Sequence, residues 1–200
     1  MGRRQNRLAL LASLALLSAP AYAGSFEEHL TVCSGCHGRD GTSIAPEIPR
    51  LAALDADYIA RQIGDFKTGK RKNAIMQAMV VALDGQAIEA LAAHYSEQAA
   101  KPSDVKPGPA IERGRKIHHE GIVGSAVPSC SGCHGEDATG DAKYPRLAGQ
   151  NAAYIQMQLA AFKNGDRTND ARGAMGAVAK RMQEDEMQAV AQYLNSLKQD

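Results

Sequence analysis

Apolar side chains return at three- and four-residue spacing along much of the chain, the period of a helix that buries one face. Residues 53–67 and 150–163 show it best, with Tyr, Ile or Leu, and Phe recurring on one side. Each run closes at a glycine, Gly69 or Gly165, that stops a helix. Further helices are expected at 86–97 and 184–198. Residues 110–120, ended by Gly121, read as an additional opening helix in the second half. No segment alternates apolar and polar residues with the period of two that a half-buried strand requires. The pattern predicts an all-α protein.

The first residues form a hydrophobic run of another kind. Arg3, Arg4 and Arg7 precede an apolar stretch at 8–17, and Ala21-Tyr22-Ala23 places small residues around a signal-peptidase site. The stretch is short for a transmembrane helix, so residues 1–23 are expected to be a cleaved signal peptide rather than an anchor. No later run is long and apolar enough to span a bilayer. The mature chain is therefore expected to be soluble in an exported, oxidising compartment.

The hydrophobic pattern occurs twice because the chain is duplicated. Cys33-Ser34-Gly35-Cys36-His37-Gly38 returns as Cys130-Ser131-Gly132-Cys133-His134-Gly135, 97 positions later. At an offset of 96, 13 of the 25 positions in 49–73 are identical, including Tyr58/Tyr154, Gln62/Gln158, Phe66/Phe162, Gly69/Gly165 and Asn73/Asn169. Helical periodicity alone would not hold Pro, Gly and Phe in register, so the unit is a repeated module. Three prolines and a glycine within 101–109 mark an extended, semi-stiff connection. The expected organisation is a domain at 24–100, a linker at 101–109 and a domain at 110–200.

Composition then sharpens the reading. The 200 residues carry 23 basic and 22 acidic side chains, a formal net charge of +1, which leaves no global basic field for nucleic acid. Without residues 1–23 the balance is 20 to 22, a net charge of −2. Aromatic residues make up only 4%, with no Trp. Aromatics supply much of a small core, so another apolar body must fill this one.

The paired cysteines point to that body. Positions i, i+3 and i+4 share a helix face, so Cys33, Cys36 and His37 face one way, as do Cys130, Cys133 and His134. Two thiols so placed can form thioether bonds to the vinyl groups of one haem while the imidazole reaches the iron, which is the attachment pattern of a c-type haem. Three other uses compete. A zinc site made of both Cys pairs would leave two histidines idle and must bridge the modules. A redox dithiol belongs in a βαβ context, which the pattern lacks. Disulfides suit export, but nothing in them calls for a His after each pair.

On these residues the chain resembles the di-haem cytochromes of the cytochrome c4 family. The resemblance rests on both Cys-Ser-Gly-Cys-His-Gly segments, on the Pro-Arg-Leu-Ala-x5-Tyr-Ile-x2-Gln-x3-Phe-Lys-x-Gly run in each half, and on a Met-bearing loop before each last helix. It implies two tandem class I cytochrome c domains, each wrapped around a covalently attached haem c, and a periplasmic electron carrier rather than an enzyme. Cys33, Cys36, Cys130 and Cys133 would hold the haems, and His37 and His134 would bind the irons. Partners implied are redox proteins: a membrane respiratory complex, a terminal oxidase or a dehydrogenase, with peripheral association at a membrane surface compatible with that role. Two alternatives accompany it, the electron-accepting di-haem subunit of a dehydrogenase such as a flavoprotein sulfide dehydrogenase, and a di-haem redox enzyme with one open iron.

Methionine is a standard sixth ligand beside histidine in cytochromes c. Only Met76 and Met175 recur as methionine in both halves, at an offset of 99, and their loop is where the family keeps its axial Met. Met79, opposite Val178, is the competitor in the first half, and the remaining methionines read as packing. In class I cytochromes c a carbonyl on a Pro-containing loop holds the ligand imidazole, which implicates 46–49 for His37 and Tyr144-Pro145 for His134. Arg50 and Arg146 follow directly and suit haem propionates. Tyr58/Tyr154 and Phe66/Phe162 are expected around the haem or against the last helix. His118 and His119, late in a charged helix, are expected in solvent.

Overall fold

The structure, a computed structural model, describes residues 24–100 and 105–197. The expected signal peptide lies outside the described residues, as do 101–104 of the expected linker. The first half is built of helices whose starts are written in side chains. Ser25 and Glu28 form a capping box ahead of α1 (Phe26–His37). Asp55 caps α2 (Ala56–Lys67), Asn73 caps α3 (Ala74–Val80) and Asp84 caps α4 (Gly85–Ser96), each accepting a backbone N–H of the first turn.

The second half repeats the order with one insertion. Pro109 opens α5 (Pro109–Glu120) at a position where its missing N–H costs nothing. Residues 121–130 follow, with a 3-10 turn at Val123–Ser125 closed by an antiparallel bridge between Ile122 and Val127. Then come α6 (Ser131–His134), α7 (Ala152–Asn164), α8 (Ala174–Ala179) and α9 (Glu184–Ser196). Gly165, at φ 82°, ends α7 in the left-handed region as the sequence predicts. That bridge aside, the described residues are helix and loop.

Three expectations need revision. The helix turn on which Cys33, Cys36 and His37 were expected to share a face is not a separate short helix but the end of the twelve-residue α1, because the capping box starts the helix well before the motif. The helix expected as additional in the second half is the counterpart of α1: α5 packs across α9 as α1 packs across α4. What the second half adds is the 121–130 loop. Lastly, the methionine loops are short helices, fixed by Asn73 Oδ1 accepting from Met76 N at 3.0 Å, and by Asp170 Oδ2 accepting from Met175 N at 2.7 Å.

Each half has its own apolar core. The first gathers Leu30, Leu54, Ile59, Phe66, Val80, Leu83, Leu91 and Tyr95. The second runs from Ile117 to Leu194 and includes Phe162, Met182 and Met187 as fillers. Gly114 sets the spacing in the second half. A Cβ there would stand 2.6 Å from Tyr193 Cβ and closer still to Ala189 O, so only glycine lets α5 and α9 approach this far.

The two halves meet through a reciprocal polar interface. Arg71 donates to Tyr154 Oη at 2.8 Å and Gln158 Oε1 at 2.9 Å in the other half, and to Gln62 Oε1 at 3.0 Å in its own. Arg167 donates to Tyr58 Oη at 3.3 Å and Gln62 Oε1 at 3.1 Å across the interface, and to Gln158 Oε1 at 2.9 Å at home. Each guanidinium also lies over the phenylalanine of its own half, Phe66 at 4.6 Å and Phe162 at 4.5 Å. The arrangement has the i-to-j, j-to-i form of an isologous contact within one chain. Around it, Asn151 Nδ2 donates to Ser43 Oγ and to the Ala45 and Ile48 carbonyls, and Gln150 exchanges bonds with the Arg50 backbone.

Candidate functional site

The Cys-x-x-Cys-His segments occupy the end of α1 and the short α6. In each, the first cysteine is half-buried and the second exposed, and all four thiols are free. Burial pushes the Cys33 thiol up and Cys130 up to about 11, so neither is a ready thiolate. Among the described residues no group of three or more His, Cys, Asp or Glu side chains is placed to hold a metal ion. That geometry removes the zinc reading, which needs two thiol pairs converging on one point.

His37 and His134 are both buried. His37 Nδ1 donates to Pro49 O at 3.0 Å, and His134 Nδ1 donates to Pro145 O at 2.9 Å. A carbonyl oxygen only accepts, so the proton sits on Nδ1 and Nε2 keeps its lone pair. This is the tautomer an iron-binding imidazole needs, with its other nitrogen held and its basicity raised by an acceptor. Burial lowers both imidazole pKa values and keeps the rings neutral, the carbonyl bonds opposing it only in part. The Pro-containing loops implicated by sequence do supply the acceptors.

The methionines fall into three groups. Met76 and Met175 are half-buried and pack on the core of their own half, the same cores that Cys33 and Cys130 border. Met182 and Met187 are buried fillers, and Met79 and Met157 are exposed. Lys67 Nζ donates to Leu83 O, and Lys163 Nζ to the matching Met182 O at 2.6 Å, which ties each methionine-bearing segment to the preceding long helix.

The arginines after each proline show what is needed to complete the sites. Arg146 Nε is buried and has no hydrogen-bond partner among the described residues. Burial lowers the Arg146 guanidinium, with no carboxylate among the described residues facing it, and burial lowers Arg50 too. A haem propionate would supply the missing acceptor at Arg146, so the residues present fit the group. Arg50 also reaches across the interface, its Nη1 donating to Gly149 O at 2.9 Å.

Two site features differ from the sequence reading. The Tyr58 and Tyr154 hydroxyls turn to the interface between the halves, drawn there by Arg167 and Arg71. Arg71 and Arg167 themselves recur at the offset of 96 that relates their neighbours, a signal of a kept position that does not say which surface it serves. His118, expected in solvent, is fully buried: its Nε2 faces the Gly135 and Glu136 carbonyls at 3.2 and 3.0 Å and its ring packs near Tyr193. His119 bridges Glu136 and the Tyr193 hydroxyl. The loop that leaves His134 folds back onto α5, which is why these histidines are not free.

Known proteins are similar to this chain along most of its length. The cytochrome c family model matches residues 111–198. A thiosulfate dehydrogenase electron acceptor from Thiomonas intermedia is 38% identical over 195 residues, 94% of this chain and 90% of its own. Cytochrome c4 of Thiocapsa roseopersicina is 39% identical over 171 residues, 84% of this chain and 88% of its own. The crystal structure of reduced recombinant cytochrome c4 from Pseudomonas stutzeri superposes with a TM-score of 0.80 at 33% identity, covering 87% of this chain and 99% of that one. With both Cys-x-x-Cys pairs, 33/36 and 130/133, fitting covalent haem c and two class I domains in tandem, the chain belongs to the cytochrome c4 family of di-haem electron-transfer proteins.

Proposed function

We propose that this chain is a periplasmic electron carrier in which Cys33 and Cys36 hold one haem and Cys130 and Cys133 the other, with His37/Met76 and His134/Met175 as the axial pairs. Haem, when bound, supplies an Fe(III)/Fe(II) couple. The chain supplies two neutral imidazoles with their Nδ1 protons on the Pro49 and Pro145 carbonyls, and thioethers half-buried beside each core. The observation that carries the reading is this recurrence: the same acceptor, the same tautomer and a methionine on the same kind of short helix in both halves. Boundaries at 24–100 and 110–200, with 101–109 between, follow from the same repeat. Cleavage after Ala23 would deliver the chain to the periplasm.

The exposed second cysteine of each pair puts part of each haem edge at the surface, where an electron can enter at one half and leave from the other. Donor and acceptor are a membrane respiratory complex and a terminal oxidase. A second reading, the electron acceptor of a soluble dehydrogenase, draws on the 38% identity to a thiosulfate dehydrogenase electron acceptor along nearly the whole chain.

The purified protein is expected to hold two haems per chain that survive acid-acetone extraction. The oxidised protein should show the weak far-red methionine–iron band, which Met76→Ala combined with Met175→Ala abolishes; persistence of the band in that double variant would refute the ligand choice. Mixing oxidised protein with thiosulfate and a purified thiosulfate dehydrogenase separates the partner readings. Rapid reduction favours the acceptor role, and no reduction, with rapid reoxidation by a terminal oxidase, favours the respiratory carrier.

A further inference from the structure

The backbone carbonyl two residues after each candidate iron ligand receives an imidazole N–H. In the first half, His94 on α4 donates from Nε2 to Arg39 O at 2.8 Å. Glu136 is the counterpart of Arg39 at the offset of 97 that relates the two cysteine motifs. His118 on α5 donates from Nε2 to Glu136 O at 3.0 Å and to Gly135 O at 3.2 Å. The acceptor is shared, but the donors are unrelated. The position on α9 that matches His94 is Tyr193, whose hydroxyl pairs with His119 instead. Duplication has kept the bond while moving its source from the last helix to the opening one.

The side chain at this position repeats the lesson. Arg39 pairs with Glu27 on α1 at 2.8 Å, and Glu136 pairs with His119 on α5 at 2.9 Å, with the carboxylate now on the loop rather than on the helix. In both halves, then, residue 39 or 136 is held twice, by its carbonyl and by its side chain. The loop it belongs to closes on the ligand. Ser43 N donates to His37 O at 2.7 Å and Gly140 N to His134 O at 2.9 Å, and further along Leu51 N and Leu147 N donate to Gly41 O and Ala138 O, both at 2.8 Å. That second pair fixes the turn carrying the Pro49 and Pro145 carbonyls, the acceptors of the ligand imidazoles.

We propose that His94 and His118 are positioning residues for His37 and His134: each pins the loop that presents the proline carbonyl to its ligand ring and so holds the Nδ1–H···O bond short. This rests on His37 and His134 binding iron. The bond raises ligand basicity, which favours Fe(III). Loosening it raises the reduction potential of the haem in that half and leaves the other where it was.

The test uses the full di-haem protein and the half-exposed His94, because His118 is fully buried and its variants are the more liable to misfold. His94→Leu keeps bulk but removes the donor, and His94→Gln places an amide N–H near the position of Nε2. In a redox titration that resolves both haems, His94→Leu should raise one potential and leave the other fixed, with faster amide exchange at Ser43. His94→Gln should return both signals to the parent values. Unmoved potentials in His94→Leu would overturn the proposal. So would a Gln variant that behaves like the Leu variant, since ring packing between Phe26 and Tyr95 would then be the cause. Two bound haems and an intact far-red band in these variants keep such a failure distinct from failure of the axial assignment.

Discussion

At the scale of single residues, burial decides what a histidine does. His118 sits between the Gly135 and Glu136 carbonyls with His119, His134 and the Glu136 carboxylate nearby. Burial lowers its pKa, and the carbonyl bonds oppose this only partly. The unfolded chain binds a proton there at the ordinary imidazole value of about 6.5, while the folded chain resists until the pH is lower. Its contribution to stability is therefore complete above about pH 6.5 and is lost as pH falls toward the folded value. Thermal unfolding followed from neutral to mildly acidic pH should show this slope, and His118→Gln should flatten it; an unchanged slope would assign the acid sensitivity elsewhere. Sequence periodicity could not find this histidine. Its partners lie across the 121–130 insertion, and nothing local in a charged helix announces that a loop will return to it.

At the scale of elements, the long helices were legible and the short ones were not. The expected spans 53–67 and 150–163 match α2 and α7 to within three residues at each end, since both carry an amphipathic stripe and a glycine stop. The observed start of α2 is later because Asp55 spends its carboxylate on the Tyr58 N–H. Helices as brief as α3 and α8 give too few turns for a period to register, and their stability comes from caps and packing. The cysteines and the histidine after each pair were readable from motif and repeat, and the proline acceptors only from the family resemblance. The pairing of α2 with α7 through Arg71 and Arg167 was not, because the pattern shows that a position is kept and not which surface it serves. Removing Arg71 strands acceptors in both halves. Arg71→Ala and Arg167→Ala should each cost about 1–3 kcal/mol in denaturant titrations. The double variant should cost less than their total, because both arginines share Gln62 and Gln158. Strict additivity would mean that the two guanidiniums act independently.

At the scale of the whole molecule, the shortage of rings returns as a statement about folding. The chain has 44% hydrophobic residues but only three Phe and no Trp, and it is divided between two cores. Modules of this size bury too little surface to be comfortable alone, and the covalently held macrocycle is the largest apolar body available to each. Cys130→Ala combined with Cys133→Ala should therefore retain one haem and lose much of the helical circular dichroism of the second half. Full native ellipticity in that variant would show that the polypeptide alone suffices.

The reciprocal contact between the halves has a final consequence. A surface in which Arg71 meets Tyr154 and Gln158 while Arg167 meets Tyr58 and Gln62 is complementary to itself, the logic of a twofold dimer written into one polypeptide. A true dimer must repeat every atom, so its two cofactors would share one potential. Fusion removes that obligation. Asn73 caps α3, whereas its counterpart Asn169 crosses to Gln62 and Asp65, and the place that His94 holds in the first half is taken by Tyr193 in the second. Inheritance of the joint and divergence of the pockets lets one small protein contain a downhill step for an electron, which no symmetric pair of identical subunits could hold at rest.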